Sequence, residues 1–325
     1  MKHSLKSYLM KKQALNLIVF VLTLSFFNIA LAEADVPYLL TVSAKGDIAT
    51  VRALLDSGTN PNVSDIDGVT ALMYAARKDK SDIVQVLLEK GADPNARDNN
   101  GWTSLMLSAR KNYIKTAEAL LSKGADPSIR DVAGWSAMGM AATSGYSQMV
   151  DLLIDHGVDV NTKSDDGKSV LMYASKSGDV PTVKVLLAHG ALIADRDRFK
   201  VSALMYAARE GNVGVIETLI DAGAKVDDYD QYKWTALSWA VKKKKISAVQ
   251  FLITKGADVN HKDDEGTPLL QNAVLNNDAA MVNLLIKSGA DVKAKDQYGL
   301  SALVYALKGK NPQIVKMIKD AGGNY

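Results

Sequence analysis

"ALMYAAR" occupies Ala71–Arg77, and the same seven letters return at Ala203–Arg209, 132 residues later. That interval is four periods of 33, so the question is whether other residues keep the same step. From Gly58 it lands on Gly91, Gly124, Gly157, Gly190, Gly223, Gly256, Gly289 and Gly322 without a miss. From Asp65 it lands on Asp98, Asp131, Ser164, Asp197, Asp230, Asp263 and Asp296, with serine as the one departure. The chain is therefore an array of one unit, uninterrupted by insertion or deletion.

Each unit resolves into the same parts. In Thr70–Trp102, "TALMYAARKDKSDIVQVLLEKGADPNARDNNGW", Thr70 opens a short helix whose alanines, Ala75 and Ala76, allow close approach of a neighbour. A loop follows at Asp79, with Asn112, Gly145, Gly178 and Gly211 at the equivalent positions, residue types that tolerate left-handed backbone. Ile83, Val84, Leu87 and Leu88 repeat at helical spacing and give the second helix its apolar face. Gly91 ends that helix, and the polar, turn-rich segment Asp93–Trp102 projects as a hairpin finger. One such unit cannot bury its own apolar face, so neighbours must stack.

The next two units, "TSLMLSARKNYIKTAEALLSKGADPSIRDVAGW" from Thr103 and "SAMGMAATSGYSQMVDLLIDHGVDVNTKSDDGK" from Ser136, follow the same plan. The pattern resembles the ankyrin repeat, T-P-L-H-x-A-A followed by a leucine pair and G-A-D, with Met73, Met106, Met172 and Met205 in place of the usual histidine. The resemblance implies an all-α repeat fold, an ankyrin solenoid of about nine 33-residue helix-turn-helix units with β-hairpin loops, over residues 33–325. Repeats begin near 37, 70, 103, 136, 169, 202, 235, 268 and 301. It further implies a noncatalytic protein–protein interaction scaffold whose partner lies on a concave face lined by finger tips and first-helix ends. Pro37 opens the first repeat, where a missing amide does no harm, and in the last repeat Lys319 stands where others place an apolar residue.

The N-terminus reads differently. Lys2, Lys6, Lys11 and Lys12 precede an apolar run from Ala14 to Ile29, and Ala30-Leu31-Ala32 forms a small-residue cleavage site before Glu33. This is the pattern of a secretory signal peptide over residues 1–32; Met10 offers a second start. Its removal leaves 35 basic against 36 acidic residues, so the formal charge of +3 belongs to the leader. Overall charge then gives no reason to expect nucleic-acid binding. The chain has no cysteine, which excludes disulfides and a lipoprotein anchor. The expectation is a periplasmic, monomeric protein with no membrane segment after cleavage, extracellular release being the alternative.

Catalytic motifs are absent: there is no P-loop, no dinucleotide glycine motif and no G-x-S-x-G elbow. His156, His189 and His261 lie on separate repeats without ligand spacing, so neither metal nor cofactor is expected. The aspartate row serves hairpin capping, because one repeat is too wide a step for aspartates to share a calcium ion.

In an array the binding face lies where the repeats differ. Trp102, Trp135, Phe199, Tyr232 and Trp234 fall at the tips, and Arg209, Lys242 and Lys243 at first-helix ends. The tip glycine of other repeats becomes Lys200 and Lys233, at a cost of about 1 kcal/mol each if that position needs a positive φ. Departures from local preference mark function, so the expected contact surface centres on Arg198, Phe199, Arg209, Tyr232, Lys233, Trp234, Lys242 and Lys243, with Trp102 and Trp135 beside it. Such residue types suit a partner protein with an acidic and apolar surface. An inhibitor or immunity protein, a general envelope stress or assembly factor, and a secreted effector engaging a foreign protein all fit that chemistry.

Overall fold

The computed structural model describes residues 37–324, so the signal-peptide reading of residues 1–32 lies outside the described residues. Contacts divide the chain into two units: one holds the residues up to Ser108 together with Lys115–Asp126, the other Ala109–Ile114 together with Pro127 onward. Among the described residues there are eighteen helices in antiparallel pairs and no sheet.

The first unit contains Tyr38–Lys45 paired with Ile48–Asp56, Ala71–Arg77 paired with Ser81–Glu89, and most of Ser104–Ala109 and Ile114–Ser122. Within the second, the pairs are Ala137–Ser144 with Ser147–Asp155, Val170–Ser177 with Val180–Ala188, Ala203–Glu210 with Val213–Asp221, Ala236–Lys242 with Ile246–Thr254, Leu269–Leu275 with Ala279–Lys287, and Ala302–Lys308 with Pro312–Asp320. In each unit, first helices pack on first helices and second helices on second helices. The apolar positions are buried accordingly. Ala75 and Ala76 are wholly enclosed, as are Leu87, Leu120, Leu153 and Leu186.

The helix starts follow from side-chain chemistry. Thr70 Oγ1 accepts from the Met73 amide at 3.3 Å, and the Thr70 amide donates back to Met73 Sδ at 3.5 Å. Ser202 and Met205 repeat this box at the same distances. Sulfur thus provides the reciprocal acceptor at the third helical position, and the buried methionine doubles as core.

The turns behave as their residue types require. Asp79, Asn112 and the glycines at the same phase all have positive φ, and the phase continues at Lys244, Asn277 and Lys310. At Gly145 space as well as φ matters, since an added Cβ would sit 2.7 Å from the Asp179 Cβ. The expected β-hairpins contract to isolated bridges such as Arg130–Ser136 and Tyr229–Thr235, because each finger turns too tightly for a second ladder pair.

What holds a finger is its aspartate. Asp197 Oδ1 accepts from the Phe199 and Val201 amides at 2.8 and 2.9 Å, and Oδ2 accepts from the Tyr206 hydroxyl at 2.7 Å. Asp65 and Asp296 make the same pair of amide bonds and receive Tyr74 and Tyr305 nine residues on. Asp230 takes the indole of Trp239 instead, at 3.0 Å. Every one of these carboxylates is thus engaged by its own finger and by the helix that follows it.

The tyrosine end of the lock sets a pH expectation. Burial pushes the Tyr206 hydroxyl far above the ordinary phenol range, and its hydrogen bond to ionised Asp197 raises it further. A raised acid stabilises the fold below the unfolded value of about 10 and loses that contribution as pH rises beyond it. Phenolate absorbance should therefore show Tyr206 un-ionised well above pH 10, the signal being assigned by comparison with Tyr206→Phe. Asp197→Asn should bring the ionisation down.

Candidate partner-binding surface

Repeats six and seven lie within the second unit and gather most of the expected residues. Trp234, at the base of its finger, packs edge-on against Trp239 of the following helix with ring centroids 5.2 Å apart. The Arg209 guanidinium reaches across from the preceding repeat and lies 5.2 Å from the Trp239 ring centroid, while Lys242 Nζ is 5.6 Å from that of Trp234. Two cations and two indoles thus form one cluster. Arg209 Nε is buried and has no hydrogen-bond partner, and its nearest carboxylate, on Glu210, is 3.9 Å away. The Arg209 side chain is 39% exposed, so its guanidinium lies over the indole with part of its surface open to solvent, where it suits a carboxylate.

The finger tips form a second patch. Phe199 and Tyr232 are 43% and 52% exposed, and the Gln231 amide donates to the Phe199 carbonyl at 3.0 Å, so the two tips are joined through the backbone. Arg198 lies over the Phe199 ring at 5.0 Å. Lys200 and Lys233 have φ of 61° and 55°, in the left-handed region that glycine fills in other fingers. Relief of that strain by glycine would be offset by about 0.4–1 kcal/mol of extra freedom in the unfolded chain. The fold therefore has little need of either lysine, and both present exposed charge beside the aromatic tips. Lys243 is likewise exposed, at the end of Ala236–Lys242.

The tryptophans depart from expectation. Trp102, Trp135 and Trp234 are half-buried rather than solvent-facing. Trp135 rests on Tyr173 of the next first helix, centroids 5.1 Å apart, and Trp234 rests on Trp239. An indole is long enough to leave its own finger and lie on the adjacent repeat, so these rings brace the scaffold and offer only an edge. Trp102 lies in the first unit and does not join the cluster. Tyr229 and Tyr232 make no ring pair with the tryptophans among the described residues; both stand about half exposed.

A further departure concerns histidine. His189 is not isolated: its Nε2 lies 2.8 Å from Asp151 Oδ1 of the preceding repeat, and one ligand atom each from Asp151, Asp155 and His189 falls within 4.8 Å of the others. All three are exposed. His261 instead donates through Nε2 to the Lys233 carbonyl at 2.6 Å. Sequence spacing hid the first group because its members come from different repeats, 38 residues apart for His189 and Asp151.

Sequence reasoning also missed the aromatic residue nine positions after the finger aspartate. The signal is present as Asp65/Tyr74, Asp197/Tyr206, Asp230/Trp239 and Asp296/Tyr305, and it places Trp239 where Arg209 can cover it.

No helix among the described residues is long and apolar enough to cross a membrane. No curated protein matches the chain. A family model for ankyrin repeats (3 copies) matches residues 39–131, 129–197, 191–263 and 239–325. Paired helices, left-handed turns and aspartate-locked fingers recurring every 33 residues across those spans make this chain a member of the ankyrin repeat family, whose repeats generally mediate protein–protein interaction.

Proposed function

We propose that the chain is exported to the bacterial periplasm and there binds an acidic partner protein without catalysis, as an inhibitor or immunity protein does. The Arg209–Trp239 pair carries the reading: a partly exposed guanidinium over an indole, with Glu210 3.9 Å from its Nε and no hydrogen bond to that Nε among the described residues. Lys242 and Lys243 extend its positive field, and Phe199 and Tyr232 supply exposed ring surface in neighbouring fingers. A partner's carboxylate laid against the exposed part of the Arg209 guanidinium would gain a charge-assisted hydrogen bond, while Lys242 and Lys243 would steer the encounter. The sequence pattern of residues 1–32 supports export, and the absence of catalytic motifs supports binding without turnover.

The test is capture from bacterial envelope extract by the native protein and by an Arg209→Glu/Lys242→Glu variant. Both positions are at a first-helix end, so circular dichroism should be unchanged. One acidic protein retained in stoichiometric amount by the native chain, released by salt and lost by at least tenfold in the variant is the expected result. Equal retention by the two proteins would overturn the assignment of the face.

A further inference from the structure

The turns after the second helices are satisfied by a side chain from the preceding repeat. Asn62 Nδ2 donates to the Gly91 carbonyl at 3.1 Å and its Oδ1 accepts from the Asp93 amide at 2.7 Å. Asn95 does the same with Gly124 and Asp126, at 3.0 and 2.7 Å. Asn161 serves Gly190 and Leu192 at 3.4 and 2.9 Å, and Asn260 serves Gly289 and Asp291 at 3.3 and 2.8 Å. A primary carboxamide matches this pair because it offers one donor and one acceptor on a single carbon. The leucine at the second position shows that only the backbone is being read. At Asp227 a carboxylate takes the Asp258 amide but has no proton for the glycine carbonyl.

At the same phase in repeat five the residue is Ala194. Its methyl can do neither, and among the described residues no hydrogen bond reaches the Gly223 carbonyl or the Lys225 amide. The space where a carboxamide stands in those four repeats is instead part of a cavity of about 300 Å³ lined by Ala194, Arg196, Ser202, Leu204, Gly223 and Lys225. Arg196 pairs with Asp228 through Nη2, while its Nη1 is buried and has no partner. One cavity is therefore lined by the glycine and the second residue after it whose equivalents asparagine bridges in four repeats, and by a cation with an unpartnered Nη1.

We propose that this cavity is a binding subsite for a primary carboxamide, the side chain of an asparagine or glutamine carried by a partner. Its NH2 donates to the Gly223 carbonyl and its oxygen accepts from the Lys225 amide, reproducing in trans the bridge that four repeats make in cis. A carboxylate is disfavoured because it would face the Gly223 carbonyl with no proton to give. The subsite is independent of the Arg209 cluster, and its test needs no identified partner.

The probe is propionamide, titrated into 15N-labelled protein, with N,N-dimethylpropionamide as the control of like shape that has no N–H. The Lys225 amide resonance is expected to move saturably with propionamide, in the millimolar range, and not with the dimethyl compound. Ala194→Asn introduces the residue type found in four of the other turns and should abolish the movement while raising Tm. Ala194→Leu fills the space without an amide and should abolish it too. No saturable movement in the native protein, equal movement with the dimethyl compound, or movement retained in a folded Ala194→Asn variant would each overturn the proposal. The comparison of the two probes on native protein decides the matter even if a variant misfolds.

Discussion

Leu153→Ala is expected to lower the unfolding free energy by about 2–5 kcal/mol, read from urea unfolding followed by circular dichroism. Leu153 is fully enclosed, on the second helix Ser147–Asp155, which packs against its own first helix Ala137–Ser144 and against the next second helix Val180–Ala188. Truncation removes the transfer free energy of the lost carbons and leaves a void that a short helix braced on both sides cannot close. Leu275→Ala provides the contrast. That side chain is 59% exposed, so its loss should change stability by less than about 0.5 kcal/mol. Similar losses at the two positions would mean that the seam is not where these burials place it.

Asp230→Ala should cost about 3 kcal/mol, because it strips acceptors from three donors at once. Asp230 is 1% exposed, and its Oδ1 receives the Tyr232 and Trp234 amides at 2.9 and 3.0 Å. Its Oδ2 receives the Trp239 indole at 3.0 Å. With alanine there, two amides of the finger and one indole proton lose their acceptor, and water can reach them only by opening the turn. Asp230→Asn separates the contributions: it keeps an oxygen for the amides but sets an NH2 against the indole N–H, so it should cost less than alanine. Because Trp239 also supports Arg209, both variants should shift tryptophan fluorescence. An alanine variant as stable as the native protein would show that the finger does not depend on this lock.

The array was legible in the sequence because its parts repeat where phase alone decides them. A glycine at every thirty-third position announces a left-handed turn, and all nine glycines of that row have positive φ. Lys200 and Lys233 were read correctly as occupants of a glycine position for the same reason. The site was only partly legible. Arg209 was visible as a charge at a helix end, but its stacking on Trp239 depends on how a long side chain crosses to the next repeat. Trp135 and Trp234 were misjudged because turn residues surround them; ring size, which carries an indole onto the neighbouring helix, is not encoded by local polarity. His189 and Asp151 meet across repeats for a similar reason.

The reach of the cross-repeat bonds bears on how the chain acquires its structure. The side-chain hydrogen bond between His189 and Asp151 spans 38 residues, and the finger locks close within nine. Little loop entropy must be surrendered before a contact is rewarded, the condition under which chains of this size fold quickly. A helix pair can also settle against its predecessor while later residues are still unfolded. Folding then advances as a front along the chain, and a local defect stalls that front without undoing what has already set.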